Sequence, residues 1–109
     1  MFTVETTESA AVDLVTELPL TVPATFDAAF SLLRRSETPL VSGAGWHVEE
    51  LRQKQRVYPE GMFSLHVGPV FRGLFVRPGA VLKFFAFGAH HEPRDVYAKI
   101  GKRGKHGPT

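Results

Sequence analysis

The 109-residue chain contains no cysteine, which excludes disulfide bonds, thiolate nucleophiles and cysteine-bound metals. It also lacks any apolar run that approaches the roughly 18 residues needed by a transmembrane helix. Its first residues, MFTVETTESAAVDL, have no basic segment followed by a long apolar run, so no signal peptide is predicted. Together these absences favour a cytoplasmic protein without membrane contact.

Net charge is also small, at +2, but it is unevenly distributed. Residues 1–55 contain four basic and eight acidic residues, a net charge of −4. Residues 56–109 contain nine basic and three acidic residues, a net charge of +6, together with four of the five histidines. This asymmetry favours a basic surface that binds a polyanion such as nucleic acid, with a merely solvated face as the alternative.

Apolar periodicity predicts a single α+β domain. Phe2 and Val4 alternate with polar residues and predict a first strand. Helical spacing follows over residues 9–18, with Ser9 as the N-cap, and over residues 23–36. Four segments of strand-like composition come next, at 46–52, 62–67, 70–77 and 80–87. The predicted fold is an N-terminal strand and a helical hairpin packed on a small antiparallel sheet of three to four further strands, with the other sheet face free to bind.

Both predicted helices have an apolar face that should pack inward. The face of the first consists of Ala11, Leu14, Val15 and Leu18. The face of the second consists of Phe26, Phe30 and Leu33. Residues 1–100 are expected to form the domain, and the basic, glycine-rich residues 101–109 are expected to form a flexible tail.

Residues that can bind and cleave a phosphodiester are concentrated in the second half of the chain. Arg72 lies in an apolar strand, where its guanidinium needs a phosphate or carboxylate partner, or an internal salt bridge. His66 lies on the strand face opposite Phe63 and Leu65. Because the pKa of an imidazole lies near neutrality, His66 is a candidate for proton transfer, and a solvent-facing histidine is the alternative.

His90 and His91 are a second candidate, in which one side chain transfers a proton and the other contacts a phosphate. A surface turn is the alternative. Adjacent side chains point apart on most backbones and no cysteine supports them, so neither a metal nor a cofactor is predicted. Tyr97 can stack on a base, orient a phosphate, or close the edge of the core. Six cations are candidates for binding an RNA backbone: Lys54, Arg56, Arg94, Lys99, Lys102 and Arg103.

The order of these segments resembles the RelE/ParE superfamily of toxins from type II toxin–antitoxin systems, over most of the chain. AAVDLVTEL and FDAAFSLL look like its helical hairpin, and VEELRQ looks like the strand before its core. FSLHVGPVFRGLFV is similar to its paired strands, with an aromatic-arginine step at Phe71-Arg72. VLKFFAFGAHHEPRDVY resembles its last strand and the loop that ends in a Val-Tyr pair, here Val96-Tyr97. The resemblance implies a RelE/ParE-like fold.

Members of the RelE branch are mRNA interferases, and the resemblance implies that activity here. They are ribosome-dependent, metal-independent endoribonucleases that inhibit translation, in which the 2′-hydroxyl attacks the adjacent phosphate and leaves a 2′,3′-cyclic phosphate. Arg72 falls on the strand arginine that contacts the scissile phosphate. Tyr97 falls on the C-terminal tyrosine, and His91 falls on a loop arginine.

The lysine pair of the family's nuclease has no counterpart here. The aligned residues are Phe63 and Leu65 or, with a shift of one residue, Ser64 and His66. His66 can replace a lysine as the general base, but two alternatives stay open: a non-catalytic ParE-like toxin that inhibits DNA gyrase, and a degenerate RelE-fold binding protein. The toxin interpretations imply a cognate antitoxin, and the nuclease also implies ribosome and mRNA. DNA would be contacted only indirectly, through the antitoxin.

Overall fold

The computed structural model describes residues 1–52, 58 and 60–104. Its elements, in chain order, are β1 (Thr3–Thr6), α1 (Glu8–Thr16), α2 (Val22–Arg34), β2 (Ser42–Gly43), β3 (Trp46–Glu50), β4 (Met62–Val67), β5 (Phe71–Val76) and β6 (Val81–Ala89). A 3₁₀ turn (Val96–Ala98) and a π-helical turn (Ile100–Gly104) follow. No helix among the described residues is long and apolar enough to cross a membrane.

The α+β class is confirmed, but the sheet is larger than predicted and is mixed rather than antiparallel. Its six strands lie in the order β1-β6-β5-β4-β3-β2. The last five strands along the chain pair antiparallel, whereas β1 runs parallel to β6 at the far edge. β2 has only two residues and its Ser-Gly sequence is typical of turns, so the sequence pattern does not predict this strand.

One face of the sheet is covered by the two helices. α2 places Phe26, Ala29, Phe30 and Leu33 on it, so its predicted apolar face is confirmed. Phenylalanine rings from β6 meet them, with Phe26 and Phe87 edge to face at 5.1 Å between ring centroids. Edge-to-face contacts of this kind add to the free energy gained by burial alone.

α1 is rotated relative to the prediction. Its buried residues are Ala10 and Asp13, whereas Val15 is 79% exposed and Ala11 is also exposed. Leu14, and Leu18 just after the helix, do pack in the core, so the predicted face is confirmed at these two residues and wrong at Ala11 and Val15. The helix begins after Thr7, whose hydroxyl accepts the backbone N–H of Ala10 at 3.2 Å, and not after Ser9. The rotation follows from the hydrogen bonds and ion pairs of Asp13 with β6 and with the C-terminal turns. These contacts are described below.

The other face of the sheet, called here the second face, is only partly open. The chain returns across it after β6, where Val96, Tyr97 and Ile100 pack against Met62, Leu74 and Phe85. This return corrects two expectations: the second face is not wholly free, and the described part of the predicted tail, residues 101–104, forms a helical turn. What the C-terminal segment leaves exposed is a polar area on β3, where His47 and Glu49 lie.

Candidate nucleic-acid site on the second face

Strand register assembles a row of charged and titratable side chains across the second face. His47 on β3 is the direct partner of His66 on β4, and His66 is the direct partner of Arg72 on β5. Directly paired residues in adjacent strands point to the same face. Side chains from the segment after β6 complete the group, which is called here the polar cluster and consists of His47, Glu49, Ser64, His66, Arg72, His90, Asp95 and Tyr97.

The first histidine–carboxylate group of the polar cluster lies on β3 and β4. His47 Nε2 donates to Glu49 Oε2 at 2.7 Å, and His66 Nδ1 lies 3.4 Å from the same oxygen. The rings of His47 and His66 are 4.6 Å apart. The hydrogen bond from His47 lowers the pKa of Glu49, which is therefore a carboxylate at neutral pH.

His66 is the most perturbed histidine of the polar cluster. Its side chain is only 13% exposed. Burial, followed by the positive charge of Arg72, lowers the pKa of His66 to about 4, and this outweighs the opposite effect of Glu49. His66 is therefore neutral at physiological pH, so one of its two ring nitrogens carries a lone pair.

Arg72 is held in place by the backbone of the turn that precedes it. The residue is 7% exposed, and its Nη1 and Nη2 donate to the carbonyls of Phe71 and Pro69 at 2.9 and 3.1 Å. Within the described part of the chain, Arg72 Nε and His66 Nε2 are buried without a hydrogen-bond partner. Arg72 thus supplies a fixed positive charge beside His66, while its terminal fork is already occupied by the protein.

The second histidine–carboxylate group lies where the chain leaves β6. His90 Nδ1 donates to Asp95 Oδ2 at 2.7 Å, and the other Asp95 oxygen accepts the backbone N–H of Tyr97 at 2.9 Å. The His90 ring also meets the Tyr97 ring edge to face at 4.7 Å. Because Asp95 accepts a hydrogen bond from Nδ1, Nε2 is the ring nitrogen of His90 that Asp95 leaves unoccupied, and the side chain is about half exposed.

Tyr97 connects the polar cluster to the packed part of the second face. Its hydroxyl lies 3.0 Å from the hydroxyl of Ser64, which is fully buried. Ser64 and His66 share the second face with Arg72 and Tyr97, whereas Phe63 and Leu65 point into the helix-covered core. Two alignments of the lysine pair were possible from the sequence. The one that uses Ser64 and His66 places both residues on the same face as Arg72.

His91 lies apart from its neighbour His90. It is exposed, and its Nδ1 donates to the adjacent backbone carbonyl of Glu92 at 2.8 Å. The geometry thus brings His66, Arg72, His90 and Tyr97 together and leaves His91 outside the polar cluster.

Two of the predicted RNA-binding cations have partners inside the protein. Lys99 Nζ donates to Asp13 Oδ1 and to the carbonyl of Phe87, both at 3.1 Å. Arg103 donates to both oxygens of Asp13, at 2.6 and 3.2 Å, and to the carbonyl of Phe85 at 2.8 Å. These contacts attach the C-terminal turns to α1 and β6, so both side chains have a structural role.

The other predicted cations are divided by position. Arg94 and Lys102 line a pocket together with Asp95, a member of the polar cluster. Lys54 and Arg56 lie outside the described residues. Arg94 and Lys102 are therefore the predicted RNA-binding cations that the structure places near the polar cluster.

Sequence reasoning missed His47, Glu49 and Asp95. His47 and Glu49 alternate with the buried Trp46 and Val48 of β3, so the period of two along a strand could have revealed them. Asp95 could not be found in this way, because its role depends on the turn that returns it to His90.

Comparisons with family models, with curated proteins and with solved structures found no match.

Proposed function

We propose that this chain is the toxin of a type II toxin–antitoxin system, with a RelE/ParE-like fold. The element order of strand, two helices and antiparallel strands supports the proposal, because this is the order in which the chain resembles the superfamily. The cytoplasm is the compartment that fits this role, and a cognate antitoxin is the expected partner.

Within that class, we infer a ribosome-dependent, metal-independent mRNA endonuclease that inhibits translation. The observation that carries this inference is the presence of two histidine–carboxylate groups, His66 with Glu49 and His90 with Asp95, on the face that also holds Arg72. Cleavage by the 2′-hydroxyl needs one group to take a proton, another to give one, and a positive charge for the phosphorane.

We infer the two proton transfers from the positions of the two histidines. His66 is neutral, and its Nδ1, the ring nitrogen beside Glu49, takes the proton of the 2′-hydroxyl as the 2′-oxygen bonds to phosphorus. His90, held by Asp95 through Nδ1, gives a proton from Nε2 to the 5′-oxygen as the P–O5′ bond breaks. The products are a 2′,3′-cyclic phosphate and a 5′-hydroxyl, and Arg72 supplies positive charge near the phosphate. Arg94 and Lys102 contact the adjacent RNA backbone.

The experiment is induced expression in bacteria, followed by primer extension on an abundant message. His90→Gln is the informative variant, because Arg72 is buried and its replacement would also disturb the turn at Pro69. Cleavage that depends on translation is expected for the wild type, with a loss of about 100-fold or more in His90→Gln. The matched control is His91→Gln. His91 is adjacent to His90 in sequence but lies outside the polar cluster, so this variant should cleave normally.

The alternative is a non-catalytic ParE-like toxin that inhibits DNA gyrase. The observation that favours it is the arginine fork of Arg72, which backbone carbonyls already occupy. Growth arrest with intact messages and inhibited DNA supercoiling would establish this alternative and overturn the nuclease. Absence of growth arrest would leave the degenerate binding protein as the remaining interpretation.

A further inference from the structure

We propose that His47, Glu49 and His66 form a binding site for a divalent transition-metal ion, with Zn²⁺ as the representative ligand. The site is independent of the proposed nuclease activity and would exist whether or not the chain cleaves RNA. The sequence presents only the adjacent His90 and His91 as a possible histidine pair. Strand pairing instead joins two residues of β3 to one of β4.

The donor atoms are close enough to share one ion. One ligand atom from each residue lies within 4.8 Å of each of the others. Zn²⁺ binds nitrogen and carboxylate oxygen at about 2.0–2.2 Å, which places two ligands of a tetrahedral ion roughly 3.4 Å apart. His66 Nδ1 and Glu49 Oε2 already have a separation of 3.4 Å. His47 Nε2 and Glu49 Oε2, at 2.7 Å, must move apart by about 0.7 Å to reach that separation.

The required movement is available where it is needed. The side chains of His47 and Glu49 are 50% and 57% exposed, so both can change rotamer without disturbing the core. His66 is the fixed ligand, because it is largely buried between its strand neighbours. A site with one rigid and two adjustable ligands can form around an ion without refolding of the sheet.

The donor set has the composition that such ions prefer. Two imidazoles and one carboxylate suit Zn²⁺ and related ions, whereas Mg²⁺ and Ca²⁺ prefer all-oxygen sites. Three protein ligands leave a coordination position open on the exposed side of the site, where water can bind. The neighbouring cation, Arg72, is held in place by hydrogen bonds from its two Nη atoms to the carbonyls of Phe71 and Pro69.

Ion binding would have a consequence for the proposed reaction. A lone pair of His66 that ligates a metal is not available to take a proton from a 2′-hydroxyl. If both proposals hold, Zn²⁺ therefore inhibits cleavage, and a chelator restores it.

The test measures the ion directly, on the full chain and without RNA. The protein is first treated with a chelator and dialysed, then titrated with ZnCl₂ in an isothermal calorimeter at neutral pH. The wild type is expected to bind one ion, and its affinity should fall by more than roughly 100-fold in His47→Gln and in Glu49→Gln, because removal of an outer-shell partner alone costs about 10–100-fold. Both replacements alter exposed side chains, and circular dichroism verifies that the variants are folded.

His91→Gln is the matched control, since it removes an exposed histidine that lies outside the site. Its affinity for Zn²⁺ should equal that of the wild type. The visible absorption of bound Co²⁺ should likewise persist in His91→Gln and disappear in His47→Gln. Equal binding by the wild type, His47→Gln and Glu49→Gln, or no binding by the wild type, would overturn the proposal. Neither result would bear on cleavage, which is assayed separately.

Discussion

The two faces of the sheet are closed in different ways. The helix-covered face is filled by apolar side chains that interlock, with phenylalanines of α2 and β6 at its centre. The second face is closed by the chain's own return, and polar pairs such as Ser64–Tyr97 and His90–Asp95 border its apolar patch. Because the helix-covered face buries the larger set of apolar side chains, we expect it to carry most of the stability, while the second face holds polar groups in fixed positions.

The largest effect is expected from Phe26→Ala on the helix-covered face. Phe26 is fully buried and packs against Phe87 and Phe30. Its truncation removes a large apolar surface and leaves a cavity, at a cost of about 3–5 kcal/mol in the free energy of unfolding. Urea denaturation followed by circular dichroism measures the loss. The control is His47→Ala on the second face, which should change stability by less than about 0.5 kcal/mol; equal losses would contradict the division of roles.

The α2 core could be predicted from sequence because its signal is local. Phe26, Phe30 and Leu33 repeat at helical spacing within a single element, and burial follows directly from that spacing. The exposure of Val15 on α1 could not be predicted in this way. α1 is oriented by Asp13, whose partners Phe87 and Arg103 are 74 and 90 positions away along the chain.

The same limit applies to the candidate site. Alternation along β4 correctly separates Ser64 and His66 from Phe63 and Leu65, since a period of two is a local property. The inclusion of His47 depends on which residue of β3 pairs with His66, and the inclusion of Asp95 depends on the turn after β6. Register and turn geometry arise from long-range packing, so the polar cluster is visible only in the folded chain.

The second largest effect is expected at Asp13, which joins the two faces. Burial alone would raise the pKa of Asp13, but donors from Arg103, Phe87 and Lys99 favour the carboxylate, so the pKa is lowered below its ordinary value of 3.8. Asp13→Asn loses two ion pairs and weakens the attachment of the C-terminal turns. A loss of about 1–3 kcal/mol in the free energy of unfolding is expected at pH 7. The loss is limited to this range because the partners of Asp13 are partly exposed to solvent.

The pH dependence of that loss identifies its cause. A carboxyl with a lowered pKa in the folded state contributes stability that is fully present above its unfolded pKa and is lost as the pH falls through the folded value. The difference in stability between wild type and Asp13→Asn should therefore decrease as the pH falls below about 4. A difference that stays constant from pH 7 to pH 3 would show that the ion pairs are not its source.

A smaller effect is expected from Tyr97→Phe on the second face. The variant keeps the ring and its contact with His90 but leaves the buried hydroxyl of Ser64 without its partner. A cost of about 1 kcal/mol in the free energy of unfolding is expected, because a buried hydroxyl that loses its hydrogen bond cannot bond to water instead. Thermal unfolding measures it. Ser64→Ala combined with Tyr97→Phe should cost less than the sum of the single changes, and strict additivity would show that the two hydroxyls do not interact.

The smallest effect is expected on the exposed side of α1, where apolar spacing and structure disagree. Val15 lies on the face that periodicity assigns to the core, yet it is 79% exposed, while Ala10 is fully buried. Val15→Gln replaces an exposed β-branched residue with a good helix former and should change the free energy of unfolding by no more than about 0.5 kcal/mol. Ala10→Gln, on the same helix, forces a longer polar side chain into the core and should cost well over 1 kcal/mol. Denaturant unfolding of the two variants ranks them, and the reverse ranking would mean that Val15, and not Ala10, faces the core.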